Sequence, residues 1–227
     1  MSSSYSIELD STLTPAPVSA ALIWGAGIAP PQPTEKPPAF LSAVLAEAER
    51  AGVTFVSEEI RSRVRNMLRF GKYRPSGRRK PASEFLLRAA VERAFPLING
   101  PVDVNNAISL ESGFPGSLFD GEVSGRSLLL RRGRAGEAYV FNPSGQTIDL
   151  EDLLLVCRET DSGWEPCGNP VKDSMKTKIC ETTRVVVAVL YSPPDEPIGQ
   201  VETWASRYAE LLAGHCEAEE TGFVIAA

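Results

Sequence analysis

Val185-Val-Val-Ala-Val-Leu190 is the most β-prone run in the chain and carries no polar residue. A strand that alternates apolar and polar residues can leave one face in water. A continuous apolar run cannot, so this strand should be buried on both faces. It belongs to a second half that reads as meandering β-structure. Ser127-Leu-Leu-Leu130, Ala138-Tyr-Val-Phe141 and Leu153-Leu-Leu-Val156 are short apolar segments there. Gly133, Gly136, Asn142-Pro-Ser-Gly145 and Asp161-Ser-Gly163 punctuate them. Trp164 to Lys178 reads as a long connection, and Pro193-Pro194 ends the sheet.

The first half has a different period. Residues 1–18 are polar with Pro15 and Pro17, and read as a loose arm or an edge strand. Ser19 to Trp24 reads as a buried strand closed by Gly25 and Gly27. Five prolines between 29 and 38 make a semi-rigid linker. Apolar residues at 40, 41, 44, 45 and 48 form the stripe of an amphipathic helix that Gly52 ends. Ser57 caps a second helix, with Glu58 and Glu59 in its first turn and Ile60, Val64, Met67 and Leu68 inward. A third follows Ser83. After the sheet, Ile198, Val201, Ala205, Tyr208, Leu211 and Leu212 define a C-terminal helix stopped at Gly214. Helices first and strands second give an α+β fold.

Arg61, Arg65 and Arg69 share one face of the second helix, a like-charge spacing that costs a few tenths of a kcal/mol per pair. Either a partner or neighbouring carboxylates must relieve it. The segregation is wider than this helix. Residues 58–93 hold eleven Lys/Arg against four Glu, whereas 192–227 hold seven Asp/Glu against one Arg. Residues 216–227 therefore read as an acidic tail. The net charge of −6 argues against a general nucleic-acid binder, but a basic face can still make selective phosphate contacts. Gly71 to Pro81 is a basic loop around Tyr73. There a flat ring between Lys72, Arg74, Arg78 and Arg79 can stack on a base, or the loop can simply be solvated.

Other classes are excluded early. No apolar run approaches the roughly 18 residues that span a bilayer. Met1-Ser-Ser-Ser lacks a basic region leading into an apolar core, so no secretory signal is expected. Cys157, Cys167, Cys180 and Cys216 form no CxxC pair and read as reduced thiols of a cytoplasmic protein, with no metal and no cofactor expected. There is no Gly-rich phosphate loop. His215 is the single histidine and sits beyond a helix end, where a charge partner is its ordinary role, so a Ser-His-Asp or Cys-His hydrolase is not expected.

The stretch 95–120, FPLINGPVDVNNAISLESGFPGSLFD, holds the densest set of signals. Its turn cluster ends what precedes it. Val102 to Asn106 alternates like a strand, and a helix of two to three turns then runs to Gly113, with Pro115 beyond. Phe114 to Asp120 reads as a compact loop. Asn105 and Asn106 would sit at a strand-to-helix corner, where Asn commonly caps helices and bonds its own backbone.

With Asn99, Pro101, Val102, Asp103, Asn106, Leu110, Glu111, Gly113, Pro115, Phe119 and Asp120, this stretch resembles the B3/B4 module of the bacterial phenylalanyl-tRNA synthetase β subunit. It resembles the free-standing B3/B4-domain proteins more closely. Phe70-Gly-Lys-Tyr-Arg-Pro-Ser76, Pro81-Ala-Ser-Glu-Phe-Leu-Leu-Arg88 and Lys176-Thr-Lys-Ile-Cys-Glu-Thr-Thr-Arg184 extend the resemblance over roughly 21–215. It departs from the family by one extra residue at Gly100 and by an insertion at Gly77–Lys80. The resemblance implies a single B3/B4-like domain over 19–215, layered β/β/α, with the helical half packed on the β-rich half.

In the synthetases this module hydrolyses tyrosine wrongly attached to the phenylalanine tRNA. A free-standing copy is therefore expected to bind tRNA or aminoacyl-tRNA, with ester hydrolysis in trans as its chemistry or with that chemistry lost. A protein-interaction domain that has lost the RNA is the third possibility. Carried over by position, Asn106 falls on the family's pocket asparagine. Ser117 stands where the synthetase has a pocket histidine, and Val187-Ala-Val-Leu190 stands where it has a glutamate. The expected pocket is Asn105, Asn106 and Ser117. The expected tRNA contacts are Arg65, Arg69, Lys72, Tyr73, Arg74, Arg78, Arg79, Lys176 and Lys178.

Overall fold

A computed structural model describes residues 4–13 and 15–226, so Met1–Ser3 and Thr14 of the expected arm lie outside the described residues. The strands and helices in chain order are β1 (Ser6–Leu9), β2 (Ser19–Ala26), α1 (Ala39–Ala51), α2 (Glu58–Leu68), α3 (Ala82–Val91), α4 (Gly100–Ser112), β3 (Gly116–Asp120), α5 (Gly121–Ser124), β4 (Ser127–Arg132), β5 (Ala138–Val140), β6 (Thr147–Asp149), β7 (Leu154–Thr160), β8 (Gly163–Gly168), β9 (Val185–Ser192), α6 (Ile198–His215) and β10 (Glu220–Ala226). The fold is mixed α+β, as the sequence pattern expects.

The apolar run is the interior strand of a four-stranded sheet ordered β10-β2-β9-β3. β9 lies antiparallel to β2, with Ala21 opposite Leu190 and Gly25 opposite Val186, and antiparallel to β3 on its other side. Val186 to Tyr191 are fully buried, because both edges are paired and both faces covered. A second sheet runs β1-β4-β7-β8, and β5 and β6 form a separate hairpin. Leu128, Leu130 and Leu154 to Cys157 join Val186 to Tyr191 in one apolar cluster, so the two sheets share a core. Helices α1, α3 and α4 add a smaller one through Val44, Ala48, Leu87, Ala90 and Leu110. Among the described residues no helix is long and apolar enough to cross a membrane.

Three readings need correction, and one pair of alternatives is resolved. Of the two alternatives for the arm, the edge strand is found: β1 ends its sheet and pairs in parallel with β4 from Ser6↔Ser127 to Leu9↔Leu130. The expected acidic tail contains β10, antiparallel to β2 from Glu220↔Ala26 to Ala226↔Ala20. Phe223, Val224 and Ile225 pack on the core there, and the acidic residues before them had masked that apolar stretch. The expected connection from Trp164 begins inside β8, which forms a hairpin with β7. Finally, Gly116 to Asp120 is a strand rather than a loop.

Candidate functional site

The site is built on α4. Asn99 caps it, its Oδ1 accepting from the Val102 N–H at 3.2 Å, and Pro101 occupies the first turn, where its missing N–H costs nothing. Gly113 closes it in the left-handed region at φ +75°. A methyl on Gly113 would approach Val56 Cγ1 to 2.5 Å. Cap and stop together draw Val102–Val104 into the helix, so Asn105 and Asn106 stand mid-helix and not at a strand-to-helix corner.

The Asn105 amide turns outward from its own main chain. Its Oδ1 accepts the Tyr208 hydroxyl at 3.2 Å, and its Nδ2 lies 3.5 Å from both Asn106 Oδ1 and Gly116 O. Tyr208 on α6 thus orients an amide on α4. Strand β3 passes so close that a methyl on Gly116 would come within 2.5 Å of Asn105 Oδ1.

Beside the two amides lies a cavity of about 420 Å³. Asn105, Asn106 and Val102 line it from α4, Gly116 and Leu118 from β3, and Asn169, Lys172 and Asp173 from the turn after β8; Phe141 and Lys178 stand at its margin. That turn is pinned by side chains. Asn169 Oδ1 accepts from the N–H groups of Val171 and Lys172 at 2.8 and 3.0 Å, and its Nδ2 donates to the Tyr139 hydroxyl at 2.5 Å. Tyr139 in turn donates to Lys172 O at 2.6 Å.

Asp173 is the acid of this cavity. Its Oδ2 accepts from the Leu118 N–H at 3.1 Å, whereas its buried Oδ1 has no hydrogen-bond partner among the described residues. Burial pushes its carboxyl up to about 6, with Lys178 and Ser117 pulling the other way. Lys172 lies with Nζ 3.7 Å from the centre of the Phe141 ring. Burial, then the charge of Arg78, lowers its pKa.

Ser117 does not line the cavity directly. Gly116 and Leu118 line the cavity itself, whereas Ser117 between them contacts its wall, at Asn169 O and the Asp173 carboxyl. It is fully buried, 2.8 Å from the Tyr191 hydroxyl and 3.3 Å from Asn169 O.

The expected phosphate contacts divide. Tyr73 is buried and donates to Arg79 O at 2.5 Å, so its ring is not free to stack on a base. Arg65 is held by Glu84, Lys72 by Glu151 and Lys176 by Glu165. Arg61 meets Glu58, so carboxylates relieve two members of the α2 arginine face. Arg69 bonds the Asn66 amide at 3.0 Å, and Arg74 bonds the carbonyls of Gly71 and Tyr73.

Arg78 and Arg79 are different. They are exposed and line an open hollow of about 570 Å³ that also includes Phe141 and Lys172. Phe141 and Lys172 border both spaces, so the hollow with Arg78 and Arg79, which also holds the Asp149 carboxylate, adjoins the amide-lined cavity. Lys178 adds an exposed ammonium at the cavity margin.

The structure thus brings together Asn105, Asn106, Lys178 and, next door, Arg78 and Arg79. Asn169, Lys172 and Asp173 were missed by the sequence reading. The Asn169-Pro170 pair was the signal available, since such pairs mark turns with defined side-chain chemistry.

All four cysteines are free thiols, and no group of His, Cys, Asp and Glu among the described residues could hold a metal ion. His215 ends α6 with its ring edge-on to Phe40 at 5.0 Å between centres.

No family model matches the chain, and no curated protein matches it. Among solved structures it is similar to an N-terminal fragment of the phenylalanyl-tRNA synthetase β subunit from Pyrococcus horikoshii, at 10% identity and a TM-score of 0.49. The match covers 98% of this chain and 50% of that one, so the chain spans half the length of that structure.

Proposed function

We propose that this chain is a B3/B4-type module that receives the aminoacyl end of a tRNA in the cavity beside α4. One observation carries the reading: the amide-lined cavity at Asn105 and Asn106 adjoins, across Phe141 and Lys172, the hollow that holds Arg78 and Arg79. Its volume of about 420 Å³ suits a small ligand group. The amides meet the polar atoms of an aminoacyl ester, and the cations beside it meet the phosphates that precede the terminal adenosine. The ordered motifs around Asn99–Asp120 and Lys176–Arg184 support the same assignment independently.

Phosphate contacts release counterions, so tRNA binding should weaken steeply with salt. Replacing both Arg78 and Arg79 by Glu should lower the slope of log affinity against log salt by about two, whereas Arg88→Glu, on a residue already paired with Glu92, should leave it near the wild-type value. Equal slopes in all three proteins would refute the hollow as the phosphate contact.

A second reading is hydrolysis of that ester in trans, favoured by Asp173. A carboxyl that titrates near 6 inside the cavity suits proton transfer near neutral pH better than an ordinary aspartate. A deacylation panel of mischarged tRNAs separates the readings. Turnover that is abolished by Asp173→Asn with tRNA affinity retained supports hydrolysis; no turnover on any member leaves a binding module.

A further inference from the structure

Arg132 is a half-buried cation without a carboxylate. Its neighbour on β4, Arg131, meets Glu137 in two parallel bonds of 2.8 and 2.7 Å. Arg65, Arg158 and Arg207 also each meet a glutamate. Arg132 instead donates to two backbone carbonyls, of Asp152 and Met67, both at a long 3.4 Å. Its buried Nε has no partner among the described residues. The guanidinium lies 4.6 Å from the centre of the Phe70 ring. Burial pulls its pKa down to about 10, with the charge of Asp152 acting against that. Charges withdrawn from water are normally matched by an opposite charge, and here the molecule itself supplies none in contact.

The same residue lines a cavity of about 370 Å³, with Arg63, Arg69 and Phe70 beside it and Met67, Pro193 and Pro194 among its apolar walls. Arg63 is already held by Asp195 and Glu196, and Asp195 also lines the space. Arg69 has no carboxylate partner among the described residues and bonds the neutral amide of Asn66. Two guanidiniums from different elements, the end of β4 and the end of α2, therefore border one hollow with their charge unmatched. The α2 carbonyl end works against an anion here, and Arg132 caps it in the ordinary way through Met67 O. That cap uses one N–H of Nη2 and the Asp152 carbonyl takes one of Nη1, both at long range, so three of the five N–H donors have no partner among the described residues.

We propose that this cavity binds a phosphate group, held between Arg132 and Arg69. A carboxylate is satisfied by a single guanidinium fork, whereas a phosphate has oxygens for two forks approaching from different sides. The site shares no lining residue with the amide-lined cavity, so it stands whether or not that cavity takes an aminoacyl ester.

The test is a titration of the full chain at constant ionic strength, read by thermal shift and calorimetry. The probes are inorganic phosphate, adenosine 5′-monophosphate, adenosine, and a short RNA with and without a 5′-phosphate. Phosphate-bearing probes should bind and raise the melting temperature, and adenosine should not. Arg69→Gln, at an exposed position, should weaken the monophosphate at least tenfold with the fold intact, and Arg132→Gln should abolish binding. Tighter binding of the monophosphate than of phosphorylated RNA assigns the group to a free small molecule; the reverse assigns it to a strand end. Monophosphate and adenosine behaving alike, or Arg69→Gln binding the monophosphate as wild type does, overturns the proposal.

Discussion

Asp173 shows how much one side chain can depend on contacts distant in sequence. Its carboxyl is raised from 3.8 to about 6 because burial removes the water that would stabilise the anion. Between those values the folded chain keeps a proton that the unfolded chain has released. Stability therefore falls as pH rises through that window, and the full cost is present above about 6. A shift of this size corresponds to a cost on the order of 2 to 3 kcal/mol. Asp173→Asn keeps an oxygen for the Leu118 N–H and carries no charge. It should be more stable than wild type at pH 7.5 in urea denaturation, and the difference should shrink towards pH 4. A difference that does not change with pH would contradict the burial account. The adjacent Gly116 has a complementary role, since a methyl there would meet Asn105 Oδ1 at 2.5 Å. Gly116→Ala should lower the urea midpoint by the equivalent of about 1 to 3 kcal/mol, the usual range for forcing atoms into a packed site. An unchanged midpoint would show that the amide can move aside.

Elements with a strong period were legible, and those defined by pairing were not. The apolar stripes gave α1 and α6, and the unbroken run gave β9 as a strand buried on both faces. The stop of α4 at Gly113 was legible because only a left-handed residue fits there. Its start was not, because three alternating residues outweighed the Asn99 cap and Pro101. β8 contains Pro166 and no apolar run, so only its hairpin with β7 identifies it. β10 was hidden behind Glu217, Glu219 and Glu220. It protects β2, whose Ala20 to Ile23 are fully buried. Ending the chain at Glu219 removes the contacts of Phe223, Val224 and Ile225 and leaves β2 as an unprotected edge. Three part-buried apolar side chains are worth about 3 kcal/mol together. The shortened chain should show that loss in its urea midpoint and should aggregate more readily. A midpoint equal to the full chain's would mean that β10 contributes nothing to the sheet.

At the scale of the whole molecule, charge segregation along the sequence does not translate into a uniformly basic face. Glu58, Glu84 and Glu92 lie within the basic stretch and Glu49 and Glu151 reach it from outside, so Arg61, Arg65, Lys72, Arg88 and Arg93 are paired. The cations left without a carboxylate are dispersed: Arg78, Arg79, Lys172 and Lys178 stand around the amide-lined cavity, and Arg69 and Arg132 border a separate hollow. The linked motifs marked Asn106, with Asn105 singled out as its neighbour, and both amides line the cavity. Asn169 and Asp173 were not marked, because their roles come from Tyr139 and Leu118, which no local pattern connects to them. Ser117 stands behind the lining, against Asn169 and Asp173, because its position depends on the phase of a strand that was read as a loop. The most direct test of the central claim compares affinity for a tRNA carrying a non-hydrolysable, amide-linked amino acid with affinity for the same tRNA uncharged. The wild-type chain should prefer the charged form across a panel that includes its cognate amino acid, and Asn106→Leu should erase the preference while leaving affinity for uncharged tRNA intact. Equal affinity of the wild-type chain for charged and uncharged forms throughout the panel, or a preference that survives Asn106→Leu, would contradict it.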